Sequence, residues 1–383
     1  MKRVVLLTAV MLVLTGCSGL KNIQDLSYIV AIGVDYDEAE EEFTIYLQGL
    51  NFSNVAKQEG TRSSEPIPNL IGVSKGKTIN LAVGKLYKKS KPTLFYGHIK
   101  SVVVTENVLQ HTFDDVLEVF GRNRSLRPNL LIFSTNEKLD EVFAAKGLYD
   151  YPPIYTVLLT EENHESLREE IGGTSLMRFR REYNEPMGAA MLPIISIDRH
   201  TWKGDDTNAS LMISGLDLFQ HGAYQGKVSG EKAIFTNWLN SSKSKINYDL
   251  YIDGDLVAVF YMTAGSLKKS FHGEEKDPEF DLKLNVQAEL VEIIKSTSYD
   301  RLKEALGTSI EKDIRDLYEF GIREETDLLH VGDGYYRRHP KRYKELKNHY
   351  AFFLDSKSLQ GTDVNVKISN FNTYNYEKEK KFD

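Results

Sequence analysis

His98–Thr135 reads HIKSVVVTENVLQHTFDDVLEVFGRNRSLRPNLLIFST, and its ends and its middle follow different periods. His98 to Thr105 is short, apolar and rich in valine, the composition of a buried strand. Behind Thr112 as N-cap, Phe113, Val116, Leu117 and Phe120 fall at i, i+3, i+4 and i+7 and predict a helix with one apolar face. Asn129 to Thr135 returns to the strand pattern. Strand and helix therefore alternate, which favours a mixed or parallel sheet covered by helices.

The alternation extends outward. Upstream, Tyr28–Asp35 and Phe43–Leu50 are strand-like on either side of an acidic turn and predict a hairpin. Asn51 to Pro68 is polar and loop-like, and a helix starts at Thr78 with Ile79, Ala82, Val83 and Leu86 on one face. Downstream, Leu139, Val142 and Phe143 mark a short helix, Tyr151-Pro152-Pro153 interrupts the pattern, a helical stretch runs to about Glu170, and Met191–Ile197 is an apolar strand. The polar segment His200–Asn208 is the expected domain boundary. Beyond it come a short helix at Glu231–Leu239 and strands at Asn247–Ile252, Leu256–Ala264 and Phe280–Glu292. A long helix over Tyr299–Phe320 precedes closing strands at Tyr350–Leu354 and Val364–Ile368. The expected fold is a multi-domain α+β or mixed α/β protein, with mixed and antiparallel sheets packed against helices. Its expected divisions are a signal peptide at 1–16, an N-terminal α/β region at 17–200 that can comprise two subdomains, a linker at 201–208, a C-terminal α+β domain at 209–376 and a charged tail at 377–383.

The first residues carry a separate message. Lys2 and Arg3, an apolar run from Val4 to Val13 and the small residues Thr15 and Gly16 follow the plan of a secretory signal peptide, too short to span a bilayer. Leu14-Thr15-Gly16-Cys17 resembles the bacterial lipobox, which implies that Cys17 receives diacylglycerol and becomes the first residue of the mature chain, on the outer face of the cytoplasmic membrane. Cys17 is the only cysteine in 383 residues, so disulfides and cysteine-ligated metals are excluded. A net charge of −7 argues against general nucleic-acid or anionic-lipid binding.

No motif compels an enzyme. Gly72–Thr78, GVSKGKT, has one residue too few between its glycines for a phosphate-binding loop and no expected strand before it; a turn and helix cap at Gly76 and Thr78 is the simpler reading. The nine histidines do not cluster at ligand spacing, and Gly-x-Ser-x-Gly is absent. No cofactor or metal is expected. The basic stretch from Arg337 to Lys347 is most simply a solvated helix end, but Arg337, Arg338 and Lys341, interleaved with Tyr335, Tyr336 and Tyr343, are candidates for docking a partner.

The order of short motifs is similar to that of the Ger(x)C family, the lipoprotein C subunits of spore nutrient germinant receptors. After the lipobox come Ile32-Gly33-Val34-Asp35, Gly76-Lys77-Thr78-Ile79, Phe95-Tyr96-Gly97-His98-Ile99-Lys100 with Glu106 closing the strand, and Phe120 with Arg122 and Arg127. Gly215-Leu216-Asp217-Leu218-Phe219, Gly226, Gly230-Glu231 and Trp238-Leu239 resemble the start of the family's C-terminal domain. Asp327, Gly332, Gly334, His339-Pro340 and Tyr343 resemble its late pattern, with Tyr343 where the family has tryptophan. The resemblance implies a non-enzymatic, lipid-anchored subunit working at the inner spore membrane with two polytopic partners, the A and B subunits. The competing expectations are a solute-binding lipoprotein that captures a small nutrient itself and a lipid-anchored hydrolase.

Overall fold

The computed structural model describes residues 26–50, 69–91, 93–160, 171–203, 209–241, 244–265, 267–272, 278–346 and 352–369. Cys17, the signal peptide, the expected loop at 51–68, residues 161–170 of the expected helical stretch and the charged tail lie outside them, and the part of that stretch inside them is a 3-10 turn at Pro153–Tyr155 followed by turns rather than an α-helix.

The protein has mixed α/β content in two sheets. The first begins with β1 (Leu26–Asp37), β2 (Glu42–Leu50) and β3 (Asn69–Gly76), which form an antiparallel meander. The helix α1 (Ile79–Lys89) leads to β4 (Thr93–Phe95) and β5 (Ser101–Thr105), both parallel to β1. Helices α2 (Glu106–His111) and α3 (Phe113–Arg122) then cross to β6 (Leu131–Thr135), which is parallel to β5. After α4 (Leu139–Ala144), the short β7 (Thr174–Ser175) and α5 (Leu176–Asn184), the chain adds β8 (Ala189–Asp198) parallel to β6. The opening stretch is thus a strand–helix–strand crossover, and residues Tyr28 to Val34 of β1 are buried on both faces, as a central strand of a covered parallel sheet should be. Alternation inside β5 sends Val102 and Val104 to one core with Phe113, Val116 and Phe120, and Val103 to the other with Leu139, Val142 and Phe143.

Three local expectations change. Glu106–His111 is helical too, so Thr112 is the junction between α2 and α3: its N–H closes the last turn of α2 on the Val108 carbonyl, and its hydroxyl caps nothing. GVSKG lies inside strand β3, while Thr78 does cap α1 by accepting from Leu81 N–H at 3.2 Å. A Cβ on Gly76 would come within 2.7 Å of the Ala82 nitrogen, so this tight strand-to-helix turn needs glycine.

The sheet does not stop at 201–208. β9 (Ser210–Gln220) pairs antiparallel with β8, and β10 (Ala223–Ser229) pairs with β9, so residues expected to open the C-terminal domain form the far edge of the first sheet. Leu216, Leu218 and Val228 nevertheless join the core of the second body, so these strands hold the two bodies together.

That second body contains α6 (Gly230–Asn240) and a sheet of β11 (Lys245–Ile252), β12 (Asp255–Ala264), β13 (Lys268–His272), β14 (Glu279–Ile293) and β15 (Leu359–Ser369). β11, β12, β13 and β14 are antiparallel. β15 is parallel to β14, because α7 (Tyr299–Arg323) returns the chain across the sheet. Leu302, Leu306, Ile310, Ile314 and Leu317 of α7 pack against the alternating inward residues of β14, around a fully buried Trp238. Phe352–Leu354 is irregular rather than the expected strand, and β13 has no counterpart in the sequence reading.

Candidate functional site

The carboxyl ends of parallel strands are where open α/β sheets leave a crevice, because successive connections depart to opposite faces. Here β5 runs into α2, whose Val108 and Leu109 pack on one face, and β6 runs into α4, whose Leu139 and Val142 pack on the other. Between them lies an open cavity of about 460 Å³ lined by Asp35, Tyr46, Thr105, Glu106, Glu137 and Asp140, among others. Thr105 donates its hydroxyl to Asp35 at 2.6 Å, while Arg199 holds Glu137 at 3.2 Å and Glu141 at 2.6 Å beside the rim.

A buried carboxylate underlies this crevice. Asp217, only 4 % exposed, sits in β9 opposite Lys227 of β10. It accepts from the Ser134 hydroxyl and from Tyr224 Oη at 3.1 Å. Burial pushes its carboxyl up to about 6, against the opposing pull of these hydrogen bonds and Lys227, and nearby Glu106 adds a further upward push. Burial and the adjoining carboxylates also raise the Tyr224 phenol. Glu106 meets Lys227 at 3.6 Å, and Asn136, with its amide oriented to suit both, donates to Glu106 at 2.7 Å and accepts from Lys227 at 3.0 Å. The network binds the β5, β6, β9 and β10 ends into one rigid wall. Among the described residues no group of three or more His, Cys, Asp or Glu side chains is placed to hold a metal ion.

A second buried cluster joins the two bodies. Asp327 N–H donates to Gln220 Oε1 at 3.0 Å, across from the last residue of β9. Its carboxylate accepts from Val331 N–H at 2.8 Å and Gly332 N–H at 2.6 Å, satisfying the first turn of α8 (Val331–Arg338). Burial raises Asp327 to about 6 and lowers Lys269, whose charge in turn favours the carboxylate. Lys269 donates to the His330 carbonyl at 2.9 Å; His330 itself adopts a left-handed backbone at φ 52°, and burial drives its imidazole down to about 3. His330 is therefore a neutral packing residue at ordinary pH.

The candidate docking residues flank this seam. Arg337 bonds Asp333 at 2.8 Å within α8 and reaches Glu185 of the first body at 3.4 Å. Arg338 donates to the Lys269 carbonyl at 2.6 Å and lies over the Phe271 ring at 5.5 Å. Lys341, in the short helix α9 (Pro340–Glu345), is exposed. Tyr335 and Tyr343 are buried against Met187 rather than displayed, and Tyr343 Oη donates to the Pro186 carbonyl at 3.4 Å. Two of the three cations, though exposed, thus bond to other groups of the same chain. Sequence reasoning missed the roles of Asp217 and Asp327, since a lone carboxylate between apolar residues shows no partner until β9, β10 and α8 are folded against their neighbours.

Two family models match the chain, "Spore germination protein N-terminal domain" over residues 19–197 and "Spore germination B3/GerAC like, C-terminal" over residues 214–372. Spore germination protein A3 of Bacillus subtilis (strain 168) is 28 % identical over 167 residues, a match that spans 41 % of each chain. Spore germination protein GerQC of Bacillus cereus is 23 % identical over 367 residues, 92 % of this chain and 96 % of that one. The crystal structure of the GerBC protein superposes with a TM-score of 0.54 at 15 % identity, covering 89 % of this chain and 98 % of that one, and so shares its fold.

Proposed function

Since the chain belongs to the Ger(x)C family of spore germination proteins, we propose that it is the lipid-anchored, non-catalytic C subunit of a nutrient germinant receptor and acts beside polytopic A and B membrane subunits. The observation that carries this reading is the match of both family models in sequence order, over nearly all of residues 19 to 372. The lipobox at Leu14–Cys17 supports the anchor. Among the described residues no helix is long and apolar enough to cross a membrane, and in this reading attachment comes from acyl chains on Cys17. One acyl chain binds membranes only marginally, whereas the two of a diacylglyceryl group hold a protein stably. Confinement at the bilayer then raises the effective concentration of membrane partners.

Cys17→Ala tests the proposal in spores carrying the receptor genes. The variant should lose membrane retention and the germination response to nutrient, while keeping its unfolding midpoint. A variant that stays membrane-bound and fully responsive would refute the anchor. Co-isolation of the wild-type chain with the A and B subunits tests the assembly.

The crevice favours one second reading, direct capture of a small nutrient by this chain. Calorimetry of the folded chain against amino acids and sugars tests it, and an absence of heat with every germinant that triggers the intact receptor would remove it.

A further inference from the structure

The two ends of the first sheet carry opposite chemistry. The carboxyl end bears the acidic crevice and, in the β1–β2 turn, Asp37, Glu38, Glu40, Glu41 and Glu42. The amino end begins at Leu26, where β4 pairs Thr93 to Phe95 with Leu26 to Tyr28. Helix α1 starts beside Gly76 at the carboxyl end and descends, so its last turn delivers Lys88 and Lys89, followed by Lys91, to the amino end; all three are exposed. Tyr87 and Phe95 are exposed beside them.

The loop after α4 arrives at the same end. The Phe143 carbonyl accepts from Asn69 Nδ2 at 2.5 Å, and Asn69 pairs with Leu50, which faces Tyr28. From there the chain presents Tyr149, Tyr151 and Tyr155, exposed by 86 %, 47 % and 63 %, with successive ring centroids 6.4 and 5.5 Å apart over the buried Pro152 and Pro153. Amphipathic rings and lysines gathered at one end of a sheet are the composition of a surface that settles at lipid headgroups.

We propose that this amino end, built from Lys88, Lys89, Lys91, Tyr149, Tyr151 and Tyr155, lies on the anionic headgroups of the bilayer. The orientation rests on the reading of Cys17 as the anchor: eight residues separate it from Leu26, so the amino end is held within about 30 Å of the lipid even by a fully extended chain. The charge argument is independent of it, because an anionic surface attracts the basic end and repels the acidic one. The crevice then opens away from the membrane. The chain's overall charge of −7, which argued against binding anionic lipid, conceals this polarity.

The test uses the mature chain from residue 17 with Cys17→Ser, so that no acyl chain contributes and a failure of the anchor reading cannot be mistaken for a failure of this one. Sedimentation is measured with vesicles of phosphatidylglycerol and phosphatidylcholine, and with phosphatidylcholine alone. The chain should bind the anionic vesicles several-fold better, and rising salt should weaken binding. The triple change Lys88→Glu, Lys89→Glu, Lys91→Glu should reduce it about a hundredfold, and the triple change Tyr149→Ser, Tyr151→Ser, Tyr155→Ser should reduce it several-fold. Lys303→Glu, Lys312→Glu and Arg315→Glu together, the same charge change on α7, should leave it nearly unchanged. In the same cysteine-free background, a polarity-sensitive probe on Tyr155→Cys should shift to the blue on anionic vesicles and one on Glu40→Cys should not. Equal binding by all variants, equal affinity for neutral vesicles or equal probe shifts would overturn the proposal. So would triple variants that keep vesicle binding and lose the receptor subunits, a result assigning the surface to a protein partner.

Discussion

Replacing Asp217 by asparagine should change how stability depends on pH more than it changes the fold. The native carboxyl titrates at about 6, against 3.8 as its ordinary value, so between these limits the folded chain binds more protons than the unfolded one. Stability contributed by this residue is therefore greatest below pH 4 and is lost as pH rises through 6. A difference of roughly two units corresponds to about 3 kcal/mol at neutral pH. The asparagine amide would carry no charge and so escape that loss. That amide has one acceptor oxygen, so it would forfeit one of the two hydrogen bonds from Ser134 and Tyr224, a cost of about 1–1.5 kcal/mol. The variant should therefore be about 1 kcal/mol less stable than the wild type at pH 4 and about 1–2 kcal/mol more stable at pH 7.5, with the curves crossing between. Urea unfolding at half-unit pH steps from 4 to 7.5 measures this. A stability difference that stays constant across the range would refute the assignment of an ionised, poorly solvated carboxylate to this wall.

Asp327→Ala should destabilise by about 2–4 kcal/mol, since it leaves the first N–H groups of α8 without acceptors and removes the larger of the two carboxylate influences on the partly buried Lys269; chemical denaturation reads this directly. Trp238→Ala should cost about 3–5 kcal/mol by opening a cavity under the second sheet and removing the indole N–H bond to the Met262 carbonyl, and a broadened proton NMR spectrum should accompany the lowered midpoint. Arg337→Ala should cost under about 1 kcal/mol, as its ion pairs are half exposed, yet should raise amide exchange along α8 and around Glu185. If Arg337, Arg338 and Lys341 also dock a partner, the triple alanine variant should lose co-isolation of the receptor subunits with its fold intact; unchanged recovery would confine the arginines to the seam.

Much of the fold was legible because periodicity is a local record of burial. The valines of β5, the 3.6-residue stripe of α3 and the long stripe of α7 each state which side faces a core, whatever the neighbour. Errors arose where the deciding partner was remote. Thr112 looked like an N-cap because the residues before it gave no helical stripe of their own, and α2 stands on its packing behind β5. Phe352–Leu354 has strand composition, but β15 takes the available edge of β14.

The functional residues divide in the same way. The sequence alone determined the family through short motifs in order, and marked Cys17 as the expected lipidation site through a pattern that needs no fold. It also determined that cysteine chemistry plays no part in holding the body together, because there is only one. Tertiary structure alone decided that β9 and β10 complete the first sheet, that Asp217 and Asp327 are buried where their carboxyls rise, and that the exposed Arg337 and Arg338 bond to Glu185 and to the Lys269 carbonyl. It also gathered lysines from α1 and tyrosines from the loop after α4, far apart in the chain, at the sheet end where β1 begins. Hydrophobic pattern is written residue by residue, whereas desolvation and electrostatic fields depend on which segments meet, and only the folded chain fixes that.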